Sequence, residues 1–246
     1  MEDLAVRPYQ PGDEHAILAA FNLVFREICG PGYIDRDLAT WHWLFRDNPA
    51  PKRIHLAVTR SGAVACQYAG LSVRARTPVG PTLFNQVVDS FVHPDYRRGL
   101  KRPGLFVHTA VPALDLWSQQ GDSLFHGVPV DTARRISIAF LSYKEWRVID
   151  YLCRDAAAGD LTVPTSITVR RVSALSPDVD ALAMALAHEK TCLALRDRAY
   201  LDWRYVRNPT QCYEIFEARR DGRLVDSRCC DRCTNCSLAP ARLPSC

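Results

Sequence analysis

The residues best equipped for chemistry cluster in one run, Tyr96-Arg97-Arg98-Gly99-Leu100-Lys101-Arg102-Pro103-Gly104. Before it, Val87, Val88, Phe91 and Val92 supply the β-branched and aromatic residues of a buried strand, and His93-Pro94-Asp95 stops that strand. After it, Leu105 to Trp117 has the composition of a helix. A strand, a basic glycine-punctuated loop and a helix start together form an anion site, because free amides and the positive end of the helix dipole face the same point. Arg98, Lys101 and Arg102 would add charge, and the amides of Gly104, Leu105 and Phe106 would add direction. The alternative is a surface turn carrying solvated arginines. Groups able to move a proton stand near the loop in sequence: Asp89 and His93 flank its strand, and His126 sits on a later strand.

The elements that must hold these groups can be read in order. Leu4 to Arg7 is a short strand, and Glu14 to Cys29 a helix with Ile17, Phe21, Val24 and Ile28 at helical spacing. Asp35 to Phe45 is expected as a second helix, ended by Asn48-Pro49. Ile54–Arg60 and Ala63–Val73 flank Ser61-Gly62 as a hairpin. Beyond the loop and its helix come a strand at Ser123–Pro129, a helix at Thr132–Glu145 and a strand at Trp146–Arg154.

This order, with strand–HPDYR–basic-x-x-Gly–helix at its centre, resembles the GNAT-type N-acetyltransferase superfamily over about residues 4 to 153. Lys101-Arg102-Pro103-Gly104-Leu105-Phe106 is similar to that family's pyrophosphate-binding loop, with two departures: Pro103 removes an amide, and Arg98 to Lys101 is an extension. Gly127-Val128-Pro129 followed by a helix and Trp146 resembles a second family stretch. The resemblance implies an α/β (α+β) GNAT acyl-CoA N-acyltransferase fold, with a mixed, mostly antiparallel sheet flanked by helices. It implies acetyl-CoA as cosubstrate, its pantetheine along Val88 to Val92 and its pyrophosphate at the loop. It also places a thiolate-protonating tyrosine at Leu141, which makes Tyr143, two residues on, the candidate acid; Asp89 and His126 are candidate bases. Asp131 is expected to cap the following helix. The implied reaction is acetyl transfer to a small-molecule or peptide amine, with a non-catalytic acyl-CoA-binding or interaction module as the alternative.

A second signal is internal. Trp43-Leu-Phe45-Arg-Asp-Asn48-Pro49 recurs as Trp203-Arg-Tyr205-Val-Arg-Asn208-Pro209, 160 residues on, and Gly62 recurs as Gly222. A shared displacement points to a duplicated unit. It resembles a tandem GNAT subgroup, here with a truncated second half. The expected organisation is a domain at 1–154, a linker at 155–165, a partial second half at 166–225 and an irregular cysteine-rich tail at 226–246.

Ten cysteines stand in the chain. Cys29, Cys66, Cys153, Cys192 and Cys212 are isolated and expected to be reduced and mostly buried. Cys230-x-x-Cys233-x-x-Cys236 has metal-ligand spacing, but Pro240 stands where a fourth iron–sulfur cysteine would fall, and no metal is assigned. A formal charge of +4 is too mild to argue for nucleic acid. No run of about 18 apolar residues implies a membrane span, and the acidic start implies a cytoplasmic chain. An unfinished second sheet would expose an edge after Val225 and favour a homodimer.

Overall fold

The computed structural model describes residues 3–97, 103–146 and 166–231. Its main sheet runs in the order β1 (Ala5–Pro8), β2 (Lys52–Val58), β3 (Val64–Thr77), β4 (Gly80–Val92) and β5 (Asp122–His126). Neighbours are antiparallel except β4 and β5, which are parallel. Helix α3 (Leu105–Gln119) makes the crossover between those two strands. The mixed, mainly antiparallel sheet with helices on its faces is the expected fold class.

Two layers of side chains hold this sheet. On one face Ile54, Leu56, Ala69 and Phe91 pack against Ile17, Phe21 and Val24 of α1 (Asp13–Cys29). On the other, Tyr68 packs against Ala110, Ala113 and Trp117 of α3. Each large side chain taken fully from water contributes about 1.5–3 kcal/mol. A buried polar thread crosses the strands: the Arg53 guanidinium donates to Asp122 at 2.8–3.2 Å, and Asn85 Nδ2 donates to Asp122 at 2.9 Å. Gly70 makes room for it, since a Cβ there would lie 1.8 Å from Asn85 Oδ1.

The second predicted helix is shorter and differently wound. Asp37 caps α2 (Leu38–Trp41) by accepting from Thr40 N at 2.8 Å, and the chain then widens into a π-helical turn, His42–Arg46, closed by Asp47 N donating to His42 O at 2.9 Å. Asn48 accepts from Ala50 N and stops it.

Residues 166–231 repeat this local build. Strand β6 (Ile167–Val172), helix α5 (Asp178–Glu189), a short strand β7 (Leu193–Ala194), helix α6 (Arg198–Leu201), a π-helical turn (Asp202–Val206) and the hairpin β8 (Tyr213–Arg220)–β9 (Arg223–Asp231) follow in order. Asp197 caps α6 by accepting from Tyr200 N, Arg207 N donates to Asp202 O at 2.9 Å, and Asn208 accepts from Thr210 N. Sheet β6-β8-β9 carries a register irregularity at Ala218/Arg219, and β2 carries one at Ala57/Val58. The two π turns meet. Trp43 Nε1 donates to Trp203 O at 2.7 Å and Trp203 Nε1 donates to Trp43 O at 2.6 Å, with the rings stacked 5.6 Å apart. β7 pairs with β3, and Arg74 reaches Asp197 at 2.7 Å.

Several expectations are corrected. Helix α4 spans Asp131–Phe140 and stops short of Glu145, with Ser142 in a left-handed conformation; Val130 holds the N-cap place, while Asp131 pairs with Arg134 and Arg135. β9 continues to Asp231, past the boundary expected at Val225, because Leu224 and Cys229 pack inward along it. Cys192 and Cys212 are exposed, whereas Cys66 is buried and its thiol is pushed up to about 12 by burial. The strand expected over 146–154, apart from an exposed Trp146, the whole linker at 155–165, and Cys153, Cys233, Cys236 and Cys246 lie outside the described residues.

Candidate functional site

The two parallel strands part company. β4 pairs with β5 from Leu83–Asp122 to Gln86–His126, and no pair follows among the described residues. β5 ends at His126, and Gly127 packs so closely on β4 that a Cβ would sit 3.3 Å from Val87 O. Among the described residues, Val87 to Val92 therefore keep β3 along one edge, apart from the bulge described next, and pair with no strand along the other.

That stretch of β4 also bulges. Gln67 faces Phe91 and Ala69 faces Val88, so Asp89 and Ser90 together oppose Tyr68. Ser90 Oγ accepts from Ala69 N at 3.1 Å, and Gln67 Nε2 donates to Asp89 O at 2.8 Å. Asp89 takes a φ of 53°, a left-handed conformation costing about 1–3 kcal/mol in a non-glycine residue.

Beside the open edge lies a cleft of about 550 Å³. Its walls come from four elements: Val24, Phe25 and Ile28 of α1; Phe91 and Val92 of β4; Leu105 and Phe106 at the start of α3; and Ile136 and Phe140 of α4. Gly104 precedes α3 in extended backbone, and among the described residues Val107 N is the first amide to find an acceptor in the turn, Gly104 O at 3.0 Å. The amides of Gly104, Leu105 and Phe106 are thus directed outward, as the first donors of a helix must be. Val92, Gly104, Leu105 and Phe106 meet at this one cleft. Arg98, Lys101 and Arg102 lie outside the described residues. Arg97 is engaged, donating to Val92 O at 3.0 Å and to Glu27 at 2.9 Å.

The four proton-moving candidates, Asp89, His93, His126 and Tyr143, are not among the residues lining that cleft. Tyr143 follows α4 and its hydroxyl lies 3.0 Å from that of Tyr68, a buried residue of β3. Burial pushes both phenols up, so each keeps its proton at neutral pH. Asp89 is paired with both terminal nitrogens of Arg36. His126 closes β5; surrounding protein pushes its imidazole below the usual histidine value, although its edge meets solvent. Arg36 and Tyr68 were not singled out in the sequence. Arg36 lies 53 residues from Asp89 and Tyr68 lies 75 from Tyr143, and nothing local marks either partnership.

A second hollow of about 660 Å³ lies among β6, β8 and the second π turn, where Arg171 and Glu214 pair at 3.1 Å. Cys229 and Cys230 are neighbours on β9, Cys229 half-buried and Cys230 exposed. Successive strand residues point to opposite faces, so these two are poorly placed to share one ion.

No protein-family model and no curated protein matches the chain. Solved structures do. The described architecture is the GNAT acetyltransferase fold. A GCN5-related glucosamine N-acetyltransferase region of a fungal multi-domain GH3 β-N-acetylglucosaminidase aligns with a TM-score of 0.54 at 18% identity over 92% of this chain. The alignment spans 27% of that protein. A Trypanosoma brucei acetyltransferase aligns over 62% of this chain and 100% of its own (TM-score 0.47, 14% identity). An aminoglycoside acetyltransferase from an uncultured soil metagenomic sample, solved with sisomicin, covers 62% and 97% (TM-score 0.49, 11% identity). No helix among the described residues is long and apolar enough to cross a membrane.

Proposed function

We propose that the chain binds acetyl-CoA in the β4 cleft and transfers its acyl group to an amine. The observation that carries this is the edge of Val87–Val92, without a strand partner among the described residues, beside the first amides of α3. An open strand edge can pair with the amides of a pantetheine arm, and a helix start receives a pyrophosphate. In the reaction the amine loses a proton, its lone pair forms the C–N bond, the C–S bond breaks and a second proton ends on the departing thiolate. We assign that last step to Tyr143, whose phenol keeps its proton at neutral pH.

Residues 166–231 are best understood as a second, partial copy of the same unit. The 160-residue displacement, the matching caps and the reciprocal tryptophans support this reading.

Leu105→Pro tests the donor site. Proline is compatible with the first helical position and Gly104 is already extended, so the substitution removes one amide and spares the helix. Acetyl-CoA titrated calorimetrically into wild type should bind, and the variant should bind about tenfold or more weakly, the scale of one hydrogen bond to a charged group. Equal affinity would overturn the cradle. Binding without thiol release across an amine panel would make the chain an acyl-CoA-binding module.

A further inference from the structure

The Arg36–Asp89 pair is built with more care than an incidental ion pair needs. In regular alternation Val87 faces the α3 layer and Val88 the α1 layer, so Asp89 should face α3. The bulge and the left-handed φ turn it instead toward Arg36 in the segment between α1 and α2. Arg36 is held independently of its partner. Asn22 donates to Arg36 O at 3.0 Å and accepts from Arg36 N at 2.9 Å, Tyr33 steadies Asn22 from its hydroxyl at 2.9 Å, and the guanidinium lies 4.1 Å over the Phe21 ring.

The pair adjoins the cleft. Asp89 precedes Ser90 and Phe91, which line it, and Phe21 stacks at 4.1 Å on Phe25, which lines it too. Side-chain exposures of 21% for Arg36 and 15% for Asp89 leave both reachable from solvent. Among the described residues, Asp89 is the acceptor that the guanidinium's terminal nitrogens meet.

We propose that this pair reads the acceptor, and that the acceptor is an amine with a carboxylate beside its nitrogen, of the α-amino acid class. The inference rests on the acyl-transfer reading above. A simple amine displacing Arg36 from Asp89 strands a guanidinium, and a simple anion displacing Asp89 strands a carboxylate. Either leaves a half-buried charge without a partner. A zwitterion replaces both: its carboxylate takes the Arg36 fork bidentately while its ammonium takes Asp89. Because the two side chains are in contact, the ligand's two charges must sit close together. Asp89, released from Arg36, then faces the nitrogen that has to lose a proton.

The test uses the whole chain with acetyl-CoA, reading thiol release with L-leucine, L-leucine methyl ester and cadaverine. Wild type should prefer L-leucine over its ester by about tenfold or more in kcat/KM, the scale of one charge-assisted pair. Arg36→Met should bring that ratio near one, and Arg36→Lys, which keeps the charge and loses the fork, should retain part of it. Acetyl-CoA affinity, measured calorimetrically on each variant, reports that the fold persists. If no amine is turned over, titration of L-leucine and its ester into CoA-loaded protein reads the same preference. Equal use of ester and amino acid, or a preference that survives Arg36→Met, overturns the acceptor inference and leaves the donor site standing. Failure of wild type to bind acetyl-CoA overturns the functional reading itself, and this inference with it.

Discussion

The turn around Trp43 and the turn around Trp203 share little beyond tryptophan, an aromatic two residues on and Asn-Pro, yet they fold alike. Each follows an aspartate-capped single turn of helix, each is π-wound, and each lends its indole to the other's backbone. What they feed differs. After the first turn, β3 runs for 14 residues and is covered by β4 and α3, and the cleft lies there. After the second, β9 runs for nine residues and ends the described sheet. The common unit builds a hairpin and a contact. The cleft belongs to what the first region adds.

That contrast can be broken or sharpened by substitution. Trp43→Ala and Trp203→Ala should each destabilise the chain by about 3–5 kcal/mol, the range for emptying a buried tryptophan site. Because each indole loses the same partner, the double variant should cost clearly less than the sum in urea unfolding. Strict additivity would mean that the two turns do not depend on each other.

A smaller effect compares the caps. Asp37→Ala and Asp197→Ala should each cost about 1 kcal/mol, as lost N-caps do. Asp197 should cost slightly more, since it also holds Arg74 of β3 at 2.7 Å. A negligible effect at Asp197 alone would show that the second region is not held in the manner of the first.

The smallest effect is set by pH. Hydrogen bonding from Arg7 holds the Asp13 carboxyl below the usual range. In the second region burial pushes Glu217 up, but the Ser176 amide and Arg219 outweigh it and take it lower. A carboxyl depressed on folding stabilises above its unfolded pKa, and that contribution fades as pH falls through the folded one. Asp13→Asn and Glu217→Gln should therefore lower the urea midpoint at pH 7, and the gap from wild type should narrow toward pH 3. A constant gap would assign the loss to packing.

Much of the fold was legible because it is written in local chemistry. The hairpin at Gly62 and the break at His93-Pro94-Asp95 both follow from residues that restrict or free their own backbone. That Val92, Gly104, Leu105 and Phe106 come together was legible for that reason, since strand, loop and helix start are contiguous. The proton-moving candidates were not. Asp89 was found by its type and place, but its partner Arg36 comes from another segment, and a bulge turned the side chain to meet it. Tyr143 was expected on a helix that ends three residues earlier, and its partner Tyr68 lies across the sheet.

Residue order alone determined the strand–loop–helix unit and the spacing of the two tryptophan turns, because backbone restriction and repeat distance are properties of the chain. The tertiary structure alone decided that β4 leaves β5 after Gln86, that Asp89 faces Arg36, and that Trp43 and Trp203 clasp one another. Each of those depends on where a distant segment packs. Packing sums many weak contacts across the sheet, and no short stretch of sequence records that sum.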